Sequence, residues 1–306
     1  MDWVSGMQKA LDYIEENLCE EISIEEAARK ACSSVYHFQR VFGILCGRTV
    51  GEYIRLRRLT LAGAELAADR IKVIDAAMKY GYDSPDSFTK AFVKFHGITP
   101  SRARCPGVSL RSFARLSIKI SLEGGTVMNY RIEKKPAMTV TGLQTHLPGV
   151  PAGRSQELRD LFKKGETRFV RYAISGMARD VENEYYVISN VDGDGYDLTV
   201  GGILPCYFRE HMEKTVGRYK ELLTSVEIPA QTYVVAETSR GINCMTEHVA
   251  LRNSVVSEWL PSSGYVLSDA PEVVVIHFPL NSHETNVEKR RADDYVEIWL
   301  PIKREG

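Results

Sequence analysis

The chain has no C-x-x-C pair, no histidine pair at metal-ligand spacing, no glycine-rich phosphate loop and no nucleophile elbow. Its six cysteines (Cys19, Cys32, Cys46, Cys105, Cys206, Cys244) are scattered, which argues against a zinc site and fits a reduced, cytoplasmic protein. No basic N-terminal stretch leads into an apolar core, and no run nears the ~18 apolar residues that span a bilayer. No membrane partner and no cofactor are therefore expected. Net charge is also nearly absent, at -1 over 306 residues. That balance conceals a segregation: residues 1–26 carry -7, residues 27–106 carry +8 and the remainder carries -2. A local basic excess of this size is what a polyanion requires of its partner.

What is present divides the chain in two. At 306 residues it can hold two domains, each with its own core. From Met7 to Cys46 apolar residues recur at helical spacing, as in Leu11, Ile14 and Leu18, then Ile24, Ala27, Ala28 and Ala31. Ser23 with Glu26 three residues on predicts a capping box, and Ser33-Ser34 starts a further helix. A helix from about Thr49 to Ala67 carries Arg55, Arg57 and Arg58 beside Tyr53, Ile54, Leu56, Leu59 and Ala62, and is expected to be a rigid connector.

Two helix-turn-helix signals flank that connector, at Ser23–Phe42 and Val73–Phe95. In the first, Ala27, Ala28 and Ala31 let one helix pack closely on the next. Phe38, Val41, Phe42 and Leu45 form the second helix's buried stripe, leaving Tyr36, His37, Gln39 and Arg40 towards solvent. Gln pairs bidentately with adenine and Arg with guanine, while an aromatic ring packs on a thymine methyl. In the second, Ser84 caps a helix, Pro85 suits its first turn, and Phe88, Phe92 and Phe95 face inward. Ser87, Thr89, Lys90 and Lys94 remain for DNA. Two such helices held about 34 Å apart would enter successive major-groove faces, so a monomer would read an asymmetric site.

Residues 7–104 resemble the DNA-binding domain of the AraC/XylS transcription regulators. The likeness runs through Tyr36-His37-Phe38-Gln39-Arg40-x-Phe42, Gly47, Tyr53-Ile54-x-x-Arg57, Ala77-x-x-Tyr80-Gly81-Tyr82-x-Ser84, Ser87-Phe88-x-x-x-Phe92-x-x-x-x-Gly97-x-Thr99-Pro100 and Arg104. It implies that Tyr36, Gln39 and Arg40, and Asp86, Ser87, Thr89 and Lys90, approach double-stranded promoter DNA. Asp86 is a poor phosphate ligand.

Beyond Pro106 the texture becomes β-branched. The expected domains are 1–106, a linker at 107–125, and 126–306. Strand-like runs at Val127–Thr145, Tyr185–Val191 and Tyr196–Leu204 flank a helix near Gln156–Ile174. The order returns in Thr232–Thr238, a helix near Met245–Trp259, Glu272–Phe278 and Tyr295–Ile302. Both halves end in Leu-Pro, which predicts a duplicated β-α-β-β unit. The fold class is an all-α double helix-turn-helix domain followed by an α+β domain.

On the last strand, alternation puts Val296, Ile298, Leu300 and Ile302 on one face and Tyr295, Glu297 and Trp299 on the other. If the latter lines a cleft between the repeats, Glu297 is partly desolvated and attracts a cation among aromatic rings; if it faces solvent, Glu297 is ordinary surface charge. Alignment at the Leu-Pro ends sets Gly201 opposite Glu297, with room for a ligand. Asp192-Gly193-Asp194-Gly195 fits a hairpin turn better than a calcium loop. His277, His283 and Glu284 fit structural or loop roles.

Residues 127–303 resemble the GyrI-like effector-binding domain, through Glu227-Ile228-Pro229-Ala230-Gln231-x-Tyr233, Trp259-Leu260-Pro261-x-Ser263-Gly264-Tyr265 and Tyr295-x-Glu297-Ile298-Trp299-Leu300-Pro301. The resemblance implies a pocket for lipophilic or cationic compounds at Glu297 and Trp299, with Tyr295 beside them and, more loosely, Trp259, Tyr265 and Tyr172. Where many members carry Glu and Tyr after a proline, Pro271 is followed by Val274 and Ile276, so an apolar or neutral ligand fits as well. The expected function is a DNA-binding regulator, not an enzyme, whose small-molecule effector alters promoter binding or contact with RNA polymerase. Two alternatives stay open: a hydrolase in which Glu297 assists water, and a protein-binding module.

Overall fold

The computed structural model describes residues 3–118, 128–151, 156–205, 211–212, 214–241, 243–278 and 291–304. They divide into two compact units, Met1–Gln39 with Thr49–Glu123, and Arg40–Arg48 with Gly124–Gly306.

In the first unit, α1 (Trp3–Glu16) precedes α2 (Ile24–Lys30), whose N-terminus is closed by Ser23 accepting from the Glu26 N–H at 3.1 Å. The expected capping box is only half formed. The Glu26 carboxylate turns to Arg29, at 2.7 and 2.8 Å, and the Ser23 N–H lies 3.4 Å from the Tyr13 hydroxyl instead. A helix, α3 (Val35–Cys46), follows, its residues from Arg40 onward belonging to the second unit, and then the connector α4 (Val50–Ala67), capped by Thr49. Glu15 fastens α4 to α1: it accepts twice from Arg57, at 2.8 and 2.9 Å, and once from the Tyr53 hydroxyl at 2.5 Å. Part of the expected linker is laced to the same helices. The Phe113 N–H donates to Thr60 Oγ1 at 2.9 Å, Leu116 N–H to the Tyr53 hydroxyl at 3.2 Å, and Ile118 N–H to Gln8 Oε1 at 3.1 Å.

The second module comprises α5 (Val73–Lys79), the turn at Gly81, α6 (Pro85–His96) and the short α7 (Pro100–Ala103). Gly81 at φ +76° and Gly97 at φ +79° adopt the left-handed conformation that lets each helix end sharply. Ser84 accepts from the Ser87 N–H at 3.2 Å with Pro85 in the first turn. Leu59, Leu66, Ala76, Ala77, Tyr80, Phe88 and Phe92 are buried together, with Phe95 at the margin. His96 is buried too, its Nε2 3.0 Å from the Leu59 carbonyl, and a Cβ on Gly63 would come within 2.8 Å of the ring.

The second unit is built on one antiparallel sheet of β1 (Tyr130–Lys135), β2 (Met138–Pro148), β3 (Asn183–Ser189), β4 (Gly195–Gly202), β5 (Leu223–Ile228), β6 (Gln231–Glu237), β7 (Tyr265–Leu267), β8 (Glu272–His277) and β9 (Tyr295–Arg304). The spatial order is β1-β6-β9-β8-β3-β4-β2-β5, with β7 beside β9. Exchange of the two halves maps this order onto itself, with β8 and β3 meeting at the centre. Helices α8 (Gln156–Lys163) and α9 (Gly165–Met177) belong to one repeat, and α10 (Cys244–Ser254), continued by a wider turn to Trp259, to the other.

The predicted duplication is present, with an addition. Each repeat is preceded by a strand that pairs with the other repeat: β1 with β6, and β5 with β2. Only Pro136-Ala137 separates β1 from β2, and only Pro229-Ala230 separates β5 from β6. Strands adjacent in sequence thus lie at opposite ends of the sheet, which must curl. The curl brings Val140, Val187, Ile228, Tyr233, Val235, Val273 and Trp299 into one cluster on its inner face. On the outer face, Val170 and Ile174 of α9 pack on Leu143.

The pairing register corrects the expected equivalence of Gly201 and Glu297. Equating the two Pro-Ala links equates Glu237 with Gln144; Glu237 pairs with Glu297, whereas Gln144 pairs with Thr199. Thr199 is therefore the counterpart of Glu297. Gly201 instead faces Gly142, and a Cβ on Gly201 would lie 2.1 Å from the Thr141 carbonyl. The glycine admits a neighbouring backbone, not a ligand.

Candidate functional site

The second module presents its predicted DNA residues openly. Asp86, Ser87, Lys90 and Lys94 are exposed on α6 and Thr89 is half-buried, while Phe88 and Phe92 anchor the opposite side. Ser87 spends its hydroxyl on the Ser84 carbonyl, at 2.8 Å, so it holds the helix start as well as facing out. On α3, Tyr36, His37 and Gln39 are half-buried.

Arg40 departs from the expectation that it faces solvent. It is 2 % exposed, and its Nη2 lies 3.1 Å from Glu272 Oε2 within the second unit. Its Nη1 reaches the Ser268 and Ala270 carbonyls at 3.4 and 3.5 Å. Glu272, fully buried on β8, also accepts from Arg252 of α10 at 2.6 and 2.7 Å. Burial alone would raise its pKa, but Arg252 and then Arg40 outweigh burial and hold it below the usual carboxylate value. Breaking a buried pair of this kind leaves an uncompensated charge at a cost of about 3–5 kcal/mol.

Glu297 sits on the inner face of β9 and is 6 % exposed. Its Oε1 accepts from Arg131 Nη2 at 2.6 Å and its Oε2 from the indole N–H of Trp299 at 2.7 Å. His277 Nε2 lies 3.7 Å from Oε2, and the His277 ring stacks on Tyr295 with centroids 4.1 Å apart. Burial pushes the carboxyl pKa up, yet His277, Arg131 and Trp299 together bring it down to about 2. Tyr185 and Tyr233 meet the Trp299 ring at 6.2 and 6.1 Å. A buried carboxylate in an aromatic wall is a cation seat, and here a guanidinium of the chain occupies it.

The other predicted ligand residues lie elsewhere. Trp259 stacks on Tyr265 at 6.1 Å and meets Tyr130 at 5.1 Å. Tyr130 and Tyr265 pair with Ala236 and Arg304, whose alternation puts them on the outer face. Tyr172, on α9, borders a surface cavity of about 510 Å³ lined also by Phe162, Arg171, Glu184 and Phe278. That cavity is again on the outer side. Val274 and Ile276 are outer-face residues as well, so the missing acidic and tyrosine positions take nothing from the inner face, where Val275 stands beside Glu297. Asp192 makes the predicted hairpin turn, accepting from the Asp194 and Gly195 N–H groups at 2.8 Å. His283 and Glu284 lie outside the described residues.

Sequence reasoning missed Arg131, Lys135 and Glu237 as members of this site. The charged alternation Arg131, Glu133, Lys135 was visible, but a strand's partner roughly a hundred residues away leaves no local trace.

Among the described residues no helix is long and apolar enough to cross a membrane. Residues 27–105 match the family described as Helix-turn-helix domain, and residues 131–302 match the Integron-associated effector binding protein family. The HTH-type transcriptional activator AarP of Providencia stuartii is 37% identical over 117 residues, 38% of this chain and 87% of that protein. The regulatory protein SoxS of Salmonella typhimurium is 36% identical over 98 residues, 32% of this chain and 92% of that protein. A putative bacterial transcription regulation protein from Staphylococcus aureus MU50 superposes with a TM-score of 0.39 at 11% identity, covering 58% of this chain and 99% of that one. The chain belongs to the AraC-family helix-turn-helix transcription regulators through its N-terminal domain, and to the integron-associated effector binding protein family, with its GyrI-like fold, through residues 131–302.

Proposed function

We propose that the chain is a one-component regulator that binds promoter DNA through Tyr36, His37, Gln39, Asp86, Ser87, Thr89, Lys90 and Lys94, with Arg40 left out because Glu272 holds it buried, and that it senses a small lipophilic or cationic effector at Glu297. Effector binding then changes promoter affinity or recruitment of RNA polymerase. The observation that carries the effector assignment is Glu297 itself: a 6 % exposed carboxylate, charged at neutral pH, walled by Trp299, Tyr295 and Tyr185. A pKa of about 2 makes it a weak proton acceptor, which favours binding over general-base hydrolysis. Trp259, Tyr265 and Tyr172 have no part in this seat.

A panel of fluorescent lipophilic cations and their neutral analogues, titrated into the full chain and Glu297→Gln, tests the assignment. Saturable binding that Glu297→Gln abolishes is expected. Equal binding by both proteins, or steady consumption of the compound, would overturn it.

A further inference from the structure

We propose, building on the inner face as the effector site, that β1 is an internal stand-in for the effector: Arg131 and Lys135 fill the cation seats, and a lipophilic monocation binds by displacing Arg131 from Glu297. Three features of this face attract cations, and each already holds one from the chain. Arg131 lies on Glu297 at 2.6 Å, Lys135 Nζ lies 4.2 Å from the centre of the Trp299 ring, and Arg240 lies 4.2 Å from that of Tyr295. Arg131 and Lys135 share one face of β1, which stands at the end of the sheet and, among the described residues, pairs with β6 alone.

The geometry makes Arg131 the releasable partner. Its Nε lies 3.1 Å from Glu133 and its Nη1 2.5 Å from Glu237, both carboxylates being more than a third exposed. Withdrawal from Glu297 therefore costs one contact and keeps two, with the guanidinium still compensated near water. Glu297 has no such outlet. Once Arg131 leaves, the Trp299 N–H at 2.7 Å and the His277 ring at 3.7 Å remain among the described residues, and a buried carboxylate so placed demands another positive charge. The seat holds one buried carboxylate, which sets the ligand class at one positive charge, and the rings beside it, Trp299, Tyr295 and Tyr185, favour an aromatic or otherwise lipophilic shell around that charge. A guanidinium occupying the site lowers the apparent affinity of any competitor, so occupancy by Arg131 sets the effector concentration at which the protein responds.

Calorimetric titration of the full chain with tetraphenylphosphonium tests this, using wild type, Arg131→Gln, Arg131→Lys and Glu297→Gln, each first shown to melt cooperatively. Arg131→Gln is expected to bind at least tenfold more tightly than wild type, Arg131→Lys to stay near wild type, and Glu297→Gln to lose binding. If wild type binds and Glu297→Gln does not, but Arg131→Gln is unchanged or weaker, the stand-in is overturned while the effector site survives. If neither wild type nor Arg131→Gln binds, the cation site itself falls. Binding of an aromatic sulfonate that Arg131→Gln abolishes would likewise overturn the stand-in, making Arg131 a ligand for anions.

Discussion

Glu297 is acidic because of what surrounds it, and the same surroundings tie it to stability. Its ordinary value of 4.5 falls to about 2 in the folded chain, so folding favours the ionised form. The stabilisation is complete above about pH 4.5 and is lost as pH falls through about 2; it is on the order of 3 kcal/mol. Urea denaturation of wild type and Glu297→Gln between pH 7 and 2.5 should show a constant gap above about pH 5 that narrows below 4.5. A gap that persists unchanged to pH 2.5 would contradict the ion-pair account. Alternation alone placed Tyr295, Glu297 and Trp299 on one face, because a strand's period is local. The burial of Arg40 was not legible, since its acceptor Glu272 lies 232 residues away.

Helix ends obey signals a few residues long, and those were readable: Thr49 and Ser84 cap α4 and α6, and Pro85 and Gly97 bracket α6. Sheet edges obey partners far off. Val127–Thr145 reads as one strand-like run, but Pro136 interrupts it and its described residues fall into β1 and β2, whose partners lie at opposite ends of the sheet. β5 escaped notice because Leu223–Ile228 is a short edge strand; the Pro-Ala at 229–230, matching 136–137, was its one available sign. The pairing of Gly142 with Gly201 is equally nonlocal, and it sets a requirement. A Cβ on Gly142 would lie 2.2 Å from the Val200 carbonyl, a contact that only backbone movement relieves. Gly142→Ala should destabilise the second unit by about 3 kcal/mol or more, seen as a lower urea midpoint. An unchanged midpoint would mean that β2 and β4 do not approach this closely.

Across the whole molecule, charge is sorted by task. The +8 of residues 27–106 sits in a chain of net charge -1, so DNA affinity should come largely from released counterions. Raising salt from 50 to 200 mM should weaken binding to an upstream DNA fragment by about a thousandfold or more, measured by fluorescence anisotropy. A flat salt response would remove the basic segment from the interface. The exchanged edge strands act on a different timescale. Tyr130 must pair with Ala236, so β1 leaves the ribosome roughly a hundred residues before its partner exists. At about 5–20 residues per second, that is about 5–20 s with a hydrogen-bonding edge uncovered. Arg131, Glu133, Lys134 and Lys135 make that waiting edge a poor template for another chain, since charged side chains discourage edge-to-edge pairing. Three of these charges, Arg131, Glu133 and Lys135, crowd the inner face of the finished sheet and thus also guard the nascent one against aggregation.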